Sequence, residues 1–266
     1  MTAWSSTASP STARTEGARA AFRRWRRTAA LVGSLLICLP PHLACKALRI
    51  RSRWPRRFLG MAARAVGTHV TISGRPLERD VFFISNHVSW IDILALGGAS
   101  GAAFISRDDV AGWPVIGWLA AQNNTLFVAR ERRGEVSRQV EAVRTALAGH
   151  QPVALFAEGG TGDGRTLMPF KPALLAVMMP PPRALMVQPV YLDYGPAAPE
   201  IAWPDEEGAV ENAARLLARP GPLPLTVHFL DPFDPEDFPD RKAIAVEARK
   251  RIIDCLPPSV VAPAVV

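Results

Sequence analysis

The chain of 266 residues has few or none of the residues that several classes of protein depend on. Its three cysteines are an odd number without a metal-binding or redox spacing, which argues against a disulfide framework. No Gly-x-Ser-x-Gly sequence occurs, so the nucleophile elbow of a serine hydrolase is absent. No internal repeat is present either. These absences leave one large domain, without an evident enzyme nucleophile, as the simplest expectation.

Acidic residues are nearly absent from residues 1–57, which hold Glu16 against twelve basic residues. The other 209 residues hold nineteen basic and twenty-three acidic residues, so the net charge of +7 divides into +11 and −4. A basic segment of this kind predicts an anionic partner, either nucleic acid or lipid. The segment carries few aromatic residues and includes an apolar stretch, which favours lipid and argues against nucleic acid.

An uninterrupted apolar run of bilayer length, about 20 residues, is also missing. Residues 28–45 are uncharged, but Pro40, Pro41 and His42 interrupt them, and proline removes backbone donors that are costly to lose in hydrocarbon. Both flanks are basic, so the positive-inside rule gives a single crossing no orientation. We interpret residues 18–65 as two helical pieces, broken at Pro40-Pro41, that anchor the protein from one side of the membrane. A single span and a buried, kinked core helix are the alternatives.

Strand-like and helix-like patterns alternate after residues 18–65, which we call the N-terminal arm. Strands are predicted over 69–73, 81–85, 102–106, 125–129, 152–156, 185–191 and 225–230, and helices over 90–97, 134–147, 172–179, 210–218 and 241–255. This alternation predicts an α/β domain over residues 66–256, with a mixed, mostly parallel sheet flanked by helices. The Ser/Thr/Ala-rich residues 1–17 are predicted to be disordered, and residues 257–266 to form a loose tail.

The most informative motif is Asn86-His87-Val88-Ser89-Trp90-Ile91-Asp92, which follows the apolar strand 81–85. Imidazole has an unperturbed pKa near ~6.5 and accepts a proton at neutral pH. A carboxylate on the other ring nitrogen fixes the tautomer and stabilises the imidazolium that forms. With no serine or cysteine nucleophile motif nearby, His87 and Asp92 predict a base that activates a hydroxyl group of the substrate.

Three further segments follow predicted strands, where α/β proteins commonly bind ligands. Arg130 ends the strand that contains Phe127, and arginine is a fork donor for phosphate or carboxylate. The segment 158–164 holds four glycines, which allow close backbone approach to a ligand and an anion-binding nest. Lys171 and the Pro189-Val190 pair come next.

Together and in this order, the segments resemble the glycerolipid acyltransferase family typified by 1-acylglycerol-3-phosphate acyltransferase. The family block NHxSxxD is matched by Asn86, His87, Ser89 and Asp92, the second block by Phe127, Val128 and Arg130, the third by Phe156, Glu158 and Gly159, and the fourth by Pro189 and Val190. Trp113–Trp118 resembles the Pro-x-x-Gly-Trp stretch between the first two blocks. The resemblance covers roughly residues 68–192.

The resemblance implies that His87, oriented by Asp92, takes a proton from a lysolipid hydroxyl, which then attacks an acyl thioester on acyl carrier protein or coenzyme A. It implies no metal and no other cofactor. Acceptor-binding residues are then expected at Asn86, Ser89, Phe127, Arg130, Glu158, Gly159, Gly160, Thr161 and Lys171. The expected location is the cytoplasmic face of the inner membrane, as a peripheral, monotopic or single-pass protein.

The third block departs from the family pattern, because Ala157 replaces its proline and no arginine follows Thr161. The second block has Asn124 where glycine is usual. The form Glu-Gly-x-Thr-Gly-Asp-Gly, followed by Pro-Phe-Lys, looks like a branch that includes lyso-ornithine lipid acyltransferases. Lysophosphatidic acid and a lyso-ornithine lipid therefore both stand as acceptors, with Lys171 or Arg165 as substitutes for the missing cation. A catalytically idle lipid-binding protein is the alternative.

Overall fold

The computed structural model describes residues 10–128, 136–204 and 206–263. Seven strands form one sheet in the order β1-β7-β6-β2-β5-β3-β4. Their bounds are β1 Thr68–Ser73, β2 Val81–Ser85, β3 Ala103–Arg107, β4 Leu126–Val128, β5 Val153–Phe156, β6 Met186–Asp193 and β7 Leu223–Phe229. All pairs are parallel except β6 with β7. The predicted mixed, mostly parallel sheet is confirmed.

In the described part of the chain, eight helices lie before, between and after the strands. Their bounds are α1 Pro10–Ala47, α2 Trp54–Ala65, α3 Ile91–Ser100, α4 Ile116–Gln122, α5 Val136–Leu147, α6 Ala198–Ile201, α7 Ala209–Ala218 and α8 Arg241–Ile253. The same residues include four 3-10 turns, at Asp108–Gly112, Leu174–Met178, Gly195–Ala197 and Pro235–Asp237. The segment 172–179, predicted as a helix, is therefore only a 3-10 turn. Helix α4 was not predicted.

Two apolar clusters cover the two faces of the sheet. One joins α2, α3 and α7 to side chains such as Phe83, and the other joins α5 and α8 to side chains such as Phe82. Strand β2 is buried along its whole length because both faces are covered. This explains its uninterrupted apolar sequence and its central position.

Helices α2 and α3 cross at Gly60 and Gly98. A Cβ atom added to Gly98 would lie 2.7 Å from both the Cα and the N atom of Gly60, closer than side chains tolerate. The absence of side chains at this crossing lets the two backbones touch. Helix α3 is thereby held against α2, which ties the N-terminal arm to the helix that carries Asp92.

The arm differs from the prediction in two respects. Helix α1 begins at Pro10, so residues 10–17 are helical and the predicted disordered tail 1–17 is wrong for them. The helix also continues through Pro40 and Pro41, and the chain breaks only at residues 48–53, before α2. The prediction of a break at the two prolines is therefore wrong, because one long helix contains both of them.

One face of helix α1 contacts the rest of the protein. The Arg27 guanidinium, for example, donates to the carbonyl oxygens of Leu216, Arg219 and Gly221. Farther along, Cys38 contacts Met61, and the His42 ring is hydrogen bonded to the Ser52 hydroxyl. The opposite face is apolar and exposed, and carries Phe22, Trp25, Val32, Leu36, Ile37 and Leu43.

The C-terminal residues are held more firmly than the predicted loose tail 257–266. Val261 exchanges two backbone hydrogen bonds with Arg165 and Leu167, each 2.8 Å long. The Arg249 guanidinium donates to the carbonyl oxygen of Pro263. Residues 257–263 therefore pack against the segment that follows β5, and the prediction is wrong for this part of the tail.

Candidate active site

The predicted site lies at the carboxyl edge of the sheet, where the parallel strands β2, β5 and β6 end. His87 follows β2, Glu158 follows β5 and Tyr194 follows β6. The carboxyl ends of parallel strands meet at one edge, which is why segments far apart in sequence converge here. Gly162 donates its backbone N–H to the His87 carbonyl oxygen at 2.7 Å and so links the segment after β5 to the segment after β2.

His87 and Asp92 form the predicted pair. His87 Nδ1 lies 2.8 Å from Asp92 Oδ2. Asp92 stands in the first turn of α3, so the helix backbone turns its carboxylate back towards the preceding loop. The carboxylate is fully buried, whereas the His87 side chain is 16 % exposed. The pair therefore has its orienting group inside and its reactive ring at the surface of the site.

Three further donors satisfy the buried Asp92 carboxylate. The backbone N–H groups of Val88 and Ser89 donate to Oδ2 at 2.7 and 2.9 Å, and the Tyr194 hydroxyl donates to Oδ1 at 2.5 Å. Burial, with the Asp92 charge beside it, raises the pKa of Tyr194 well above its usual value, so the phenol keeps its proton and donates it. A carboxylate with four donors is an acceptor held in one orientation.

The His87 ring is held by stacking as well as by Asp92. It lies on the Phe156 ring with centroids 4.0 Å apart and planes 11° apart, and Phe156 stacks on Phe104 at 5.7 Å. Since Nδ1 donates to Asp92, Nε2 is left as the nitrogen that can accept a proton. The arrangement provides a preoriented general base.

Glu158 links two loops of the site. Its Oε2 accepts the backbone N–H of His87 at 2.6 Å, and its Oε1 accepts that of Met168 at 2.9 Å. Burial raises the pKa of Glu158 to about 7, although these two backbone donors oppose the shift. The sequence predicted contact between Glu158 and the acceptor lipid, but both its oxygens are already engaged with the protein and its exposed fraction is 3 %. We therefore assign Glu158 to positioning His87.

Asn86 and Ser89 were also predicted to bind the acceptor, and the structure places both inside the protein. The Asn86 side-chain amide exchanges two hydrogen bonds with the backbone of Leu192 in β6, at 2.8 and 3.2 Å. Ser89 is fully buried, and its hydroxyl accepts the backbone N–H of Ile91. Because neither side chain faces the surface, their place in the motif is explained by holding the loop between β2 and α3.

The glycine-rich segment after β5 lies beside His87. Gly159 has a φ of +75°, a left-handed conformation that favours glycine, and a Cβ atom there would lie 2.8 Å from Lys171 Nζ. The missing side chain thus lets the Lys171 ammonium group lie against this backbone. Gly160 follows, and the Thr161 hydroxyl donates to the Trp203 carbonyl oxygen at 2.5 Å. The Lys171 side chain is exposed.

The described part of the second predicted block, Phe127 and Val128, is not brought to His87. Phe127 lies on β4, the edge strand, three strands from β2 and thus roughly 14 Å across the sheet. Arg130 lies outside the described residues, so its part in acceptor binding stays a prediction. Metal-binding clusters of His, Cys, Asp or Glu do not occur among the described residues.

For two residues of the site, the sequence predicted no role. Tyr194 completes the donors to Asp92 from 102 residues away, and no local pattern marks it. Phe156 supplies the face on which His87 stacks. It was quoted as a match to the third block, and an aromatic residue ending a buried strand beside the motif was the available signal.

Comparison with known proteins identifies the family of the chain. Residues 68–193 match the protein family named Acyltransferase. The chain is 32 % identical, over 224 residues, to a lyso-ornithine lipid O-acyltransferase from Brucella abortus, covering 77 % of this chain and 84 % of that protein. It is 35 % identical, over 117 residues, to a 1-acyl-sn-glycerol-3-phosphate acyltransferase from Neisseria gonorrhoeae, covering 43 % and 45 %.

The fold is shared with a solved structure. The 1-acyl-sn-glycerophosphate acyltransferase PlsC from Thermotoga maritima is 16 % identical and superimposes with a TM-score of 0.65, over 91 % of this chain and 95 % of that one. At this identity the likeness concerns the fold alone. The relative from Brucella abortus, in contrast, is similar in sequence over most of its length. The chain therefore belongs to the acyltransferase family that includes lyso-ornithine lipid O-acyltransferases and 1-acyl-sn-glycerol-3-phosphate acyltransferases.

Proposed function

We propose that the protein transfers a fatty acyl group from an acyl thioester to the free hydroxyl of a lysolipid, with His87 as general base. The contact of His87 Nδ1 with the buried Asp92 carboxylate is the observation that supports this most strongly. It leaves Nε2 to accept a proton, and no serine hydrolase elbow exists in the chain. The nucleophile is then the substrate's own hydroxyl, and no acyl-enzyme forms.

The reaction proceeds in two proton transfers. Nε2 of His87 takes the hydroxyl proton as the lipid oxygen bonds to the thioester carbonyl carbon, and Asp92 stabilises the imidazolium. The carbon–sulfur bond then breaks, and the imidazolium returns the proton to the departing thiolate. The products are the acylated lipid and a free thiol, and the base is regenerated.

A lyso-ornithine lipid is the acceptor we propose. The departures at Ala157 and after Thr161 place the third block nearer to that branch, and a relative with this name aligns over most of both chains. The relative named for 1-acyl-sn-glycerol-3-phosphate aligns over less than half of each. That lysophospholipid is the second candidate, because Lys171 lies against Gly159 and could meet a phosphate.

The donor we propose is an acyl thioester of acyl carrier protein or coenzyme A, with no other cofactor. The place of reaction is the cytoplasmic face of the inner membrane. Helix α1 is long and apolar enough to span a bilayer, with a mean hydropathy of 1.7 over its best window, only 17 % of which is buried. Yet it contacts the α/β domain at Arg27 and again at Lys46, which donates to the Gln122 side chain. A helix with one face on the domain and one apolar face exposed suits the membrane interface better than a crossing.

The test is acyl transfer by purified full-length protein in detergent, offered each donor with either lyso-ornithine lipid or 1-acylglycerol 3-phosphate. We expect a higher kcat/KM with lyso-ornithine lipid. His87→Ala should lower kcat at least about a hundredfold, the lower range for loss of a general base. His69→Ala, which changes an exposed histidine on β1, is the matched control.

The possible failures separate from one another. Preference for 1-acylglycerol 3-phosphate would refute the acceptor while leaving acyl transfer in place. Near-full activity of folded His87→Ala would refute the mechanism. Transfer to neither lipid from either donor would refute the function and favour a lipid-binding role.

A further inference from the structure

A second polar cavity lies at the amino edge of the sheet, opposite to His87. It has a volume of about 480 Å³, within the usual range for ligand sites. Its walls come from the connection between α1 and α2 and from the residues that precede β2, β3 and β5, among them Arg79, Gly101 and Gln151. Strand β2 is roughly 17 Å long, so this basic cleft is separate from the candidate active site.

Its charge is strongly unbalanced. Five cations line the cleft and one carboxylate, Glu78, accompanies them. The cations are Lys46, Arg51, Arg53, Arg56 and Arg79. Among residues 10–128, 136–204 and 206–263, none of the five forms an ion pair with a carboxylate. Unneutralised cations gathered around a concave surface favour an anionic ligand.

His42 provides an independent sign of a ligand. Its side chain lines the cleft, is only 9 % exposed, and its Nε2 atom is buried without a hydrogen-bond partner. Nδ1 lies 2.8 Å from the Ser52 hydroxyl, which also accepts the backbone N–H of Trp54. The serine oxygen has two lone pairs and one proton, so it can pair with either tautomer of the His42 ring. In both tautomers Nε2 is a buried polar atom without a partner among the described residues.

The cleft also adjoins apolar surface. Ile50 lines it and is 56 % exposed, and Leu48, two residues earlier, is 70 % exposed. Along the chain they follow the exposed apolar side chains of α1, of which Leu43 is the last. A ligand that brings both an anionic group and hydrocarbon fits this combination, whereas a free phosphate ion would use the cations alone.

We propose that the basic cleft binds the phosphate group of an anionic membrane lipid, at a site distinct from the one that contains His87. The arginines and lysine provide the charge, and His42, in the tautomer protonated on Nε2, provides a further donor. The acyl chains of the lipid then lie along Leu48, Ile50 and the exposed face of α1. The choice of a lipid as the source of the phosphate rests on the membrane association proposed above.

The test is calorimetric titration of full-length protein, in neutral detergent, with short-chain phosphatidylglycerol in one arm and inorganic phosphate in the other. We expect saturable binding of one phosphatidylglycerol per chain. Arg51→Gln with Arg53→Gln should weaken that binding at least about tenfold, as loss of two cations at a headgroup predicts. Arg24→Gln with Arg26→Gln removes the same charge from an exposed part of α1 outside the cleft and should weaken it far less.

Each other outcome would overturn part of the proposal. Equal weakening by the two arginine pairs, or binding without saturation, would show diffuse charge attraction and no discrete site. Phosphate binding as tight as phosphatidylglycerol binding would show a site for a soluble anion. The titration needs no turnover, so its failure is distinct from failure of acyl transfer.

Discussion

At the scale of single residues, two buried carboxylates of the candidate active site differ in their surroundings. Asp92 accepts hydrogen bonds from four donors, whereas Glu158 accepts two. The spacing of His87 and Asp92 predicted their contact because both lie within one strand-to-helix turn. The positions of Asn86 and Glu158 could not be predicted, because they depend on which strands become neighbours of β2. The hydrogen bond of Ser89 is local, since its hydroxyl accepts from Ile91 two residues away.

Tyr194 provides a residue-scale prediction. Tyr194→Phe removes a buried donor to Asp92, so the free energy of unfolding should fall by about 1.5–3 kcal/mol, as for a hydrogen bond to a charged group. Since Tyr194 is buried away from substrate, kcat should fall roughly tenfold, of order 1 kcal/mol of barrier, while KM for the acceptor stays within about twofold. Steady-state kinetics and urea unfolding measure both quantities.

The matched control is Tyr191→Phe. It removes the hydroxyl of a buried tyrosine on β6 that does not contact Asp92. Equal losses of kcat in the two variants would refute a positioning role for Tyr194. A raised KM with unchanged kcat would instead indicate direct contact between Tyr194 and the acceptor.

At the scale of elements, local sequence predicted the strands well and the arm poorly. All seven strands were predicted within three residues at each end. For β2, β5 and β6 the signal was a continuous apolar run bounded by turns, which is typical of strands buried on both faces. The predicted break at Pro40 and Pro41 was wrong. These prolines lack the N–H groups that would bond the carbonyl oxygens of Leu36 and Ile37, whose side chains lie on the exposed face. On that face the freed carbonyls can find other donors, so the helix continues.

The exposed face of α1 provides an element-scale prediction. Ile37→Glu places a charge on this face. It should lower the membrane partition constant about tenfold, because one isoleucine side chain is no longer buried in the membrane. Val246→Glu on α8 is the matched control, since the two side chains are 58 % and 57 % exposed. Flotation of the purified proteins with lipid vesicles measures the partition, and equal binding of both variants would contradict an interfacial α1.

At the scale of the whole molecule, Glu158 should make folding depend on pH. Its pKa is about 7 when folded and 4.5 as an ordinary value, so the folded protein binds more protons between these limits. The free energy of unfolding should therefore decrease as pH rises from about 4.5 through 7, by about 3 kcal/mol at most. Below pH 4.5 this contribution is fully present.

Glu158→Gln should remove this decrease, so the difference in stability between variant and wild type should change across the window. Urea unfolding at several pH values measures it, with the exposed Glu236→Gln as control. Parallel profiles for wild type and Glu158→Gln would show that Glu158 titrates alike in the folded and unfolded chain.

The whole fold class was predictable because alternation of strands and helices is a local property. The basic cleft was not, because its lining comes from α1, α2, α4 and three strand starts that only the assembled sheet brings together. The contact of Tyr194 with Asp92 was not predictable either, because it too forms only in the assembled sheet. Chemistry within one turn of chain is visible in the sequence, whereas surfaces built from five or more segments are not.

The hydrogen bonds that span the active site also set an order of events during synthesis. Tyr194 donates to Asp92, and Leu192 bonds the Asn86 amide. Each of these two residues is synthesised more than a hundred residues after its partner. A ribosome therefore releases the arm and the His87 motif long before the residues that fix them in place. The membrane contact that we propose for the arm can therefore form during synthesis, before the last donor to Asp92 and the backbone partner of Asn86 have emerged.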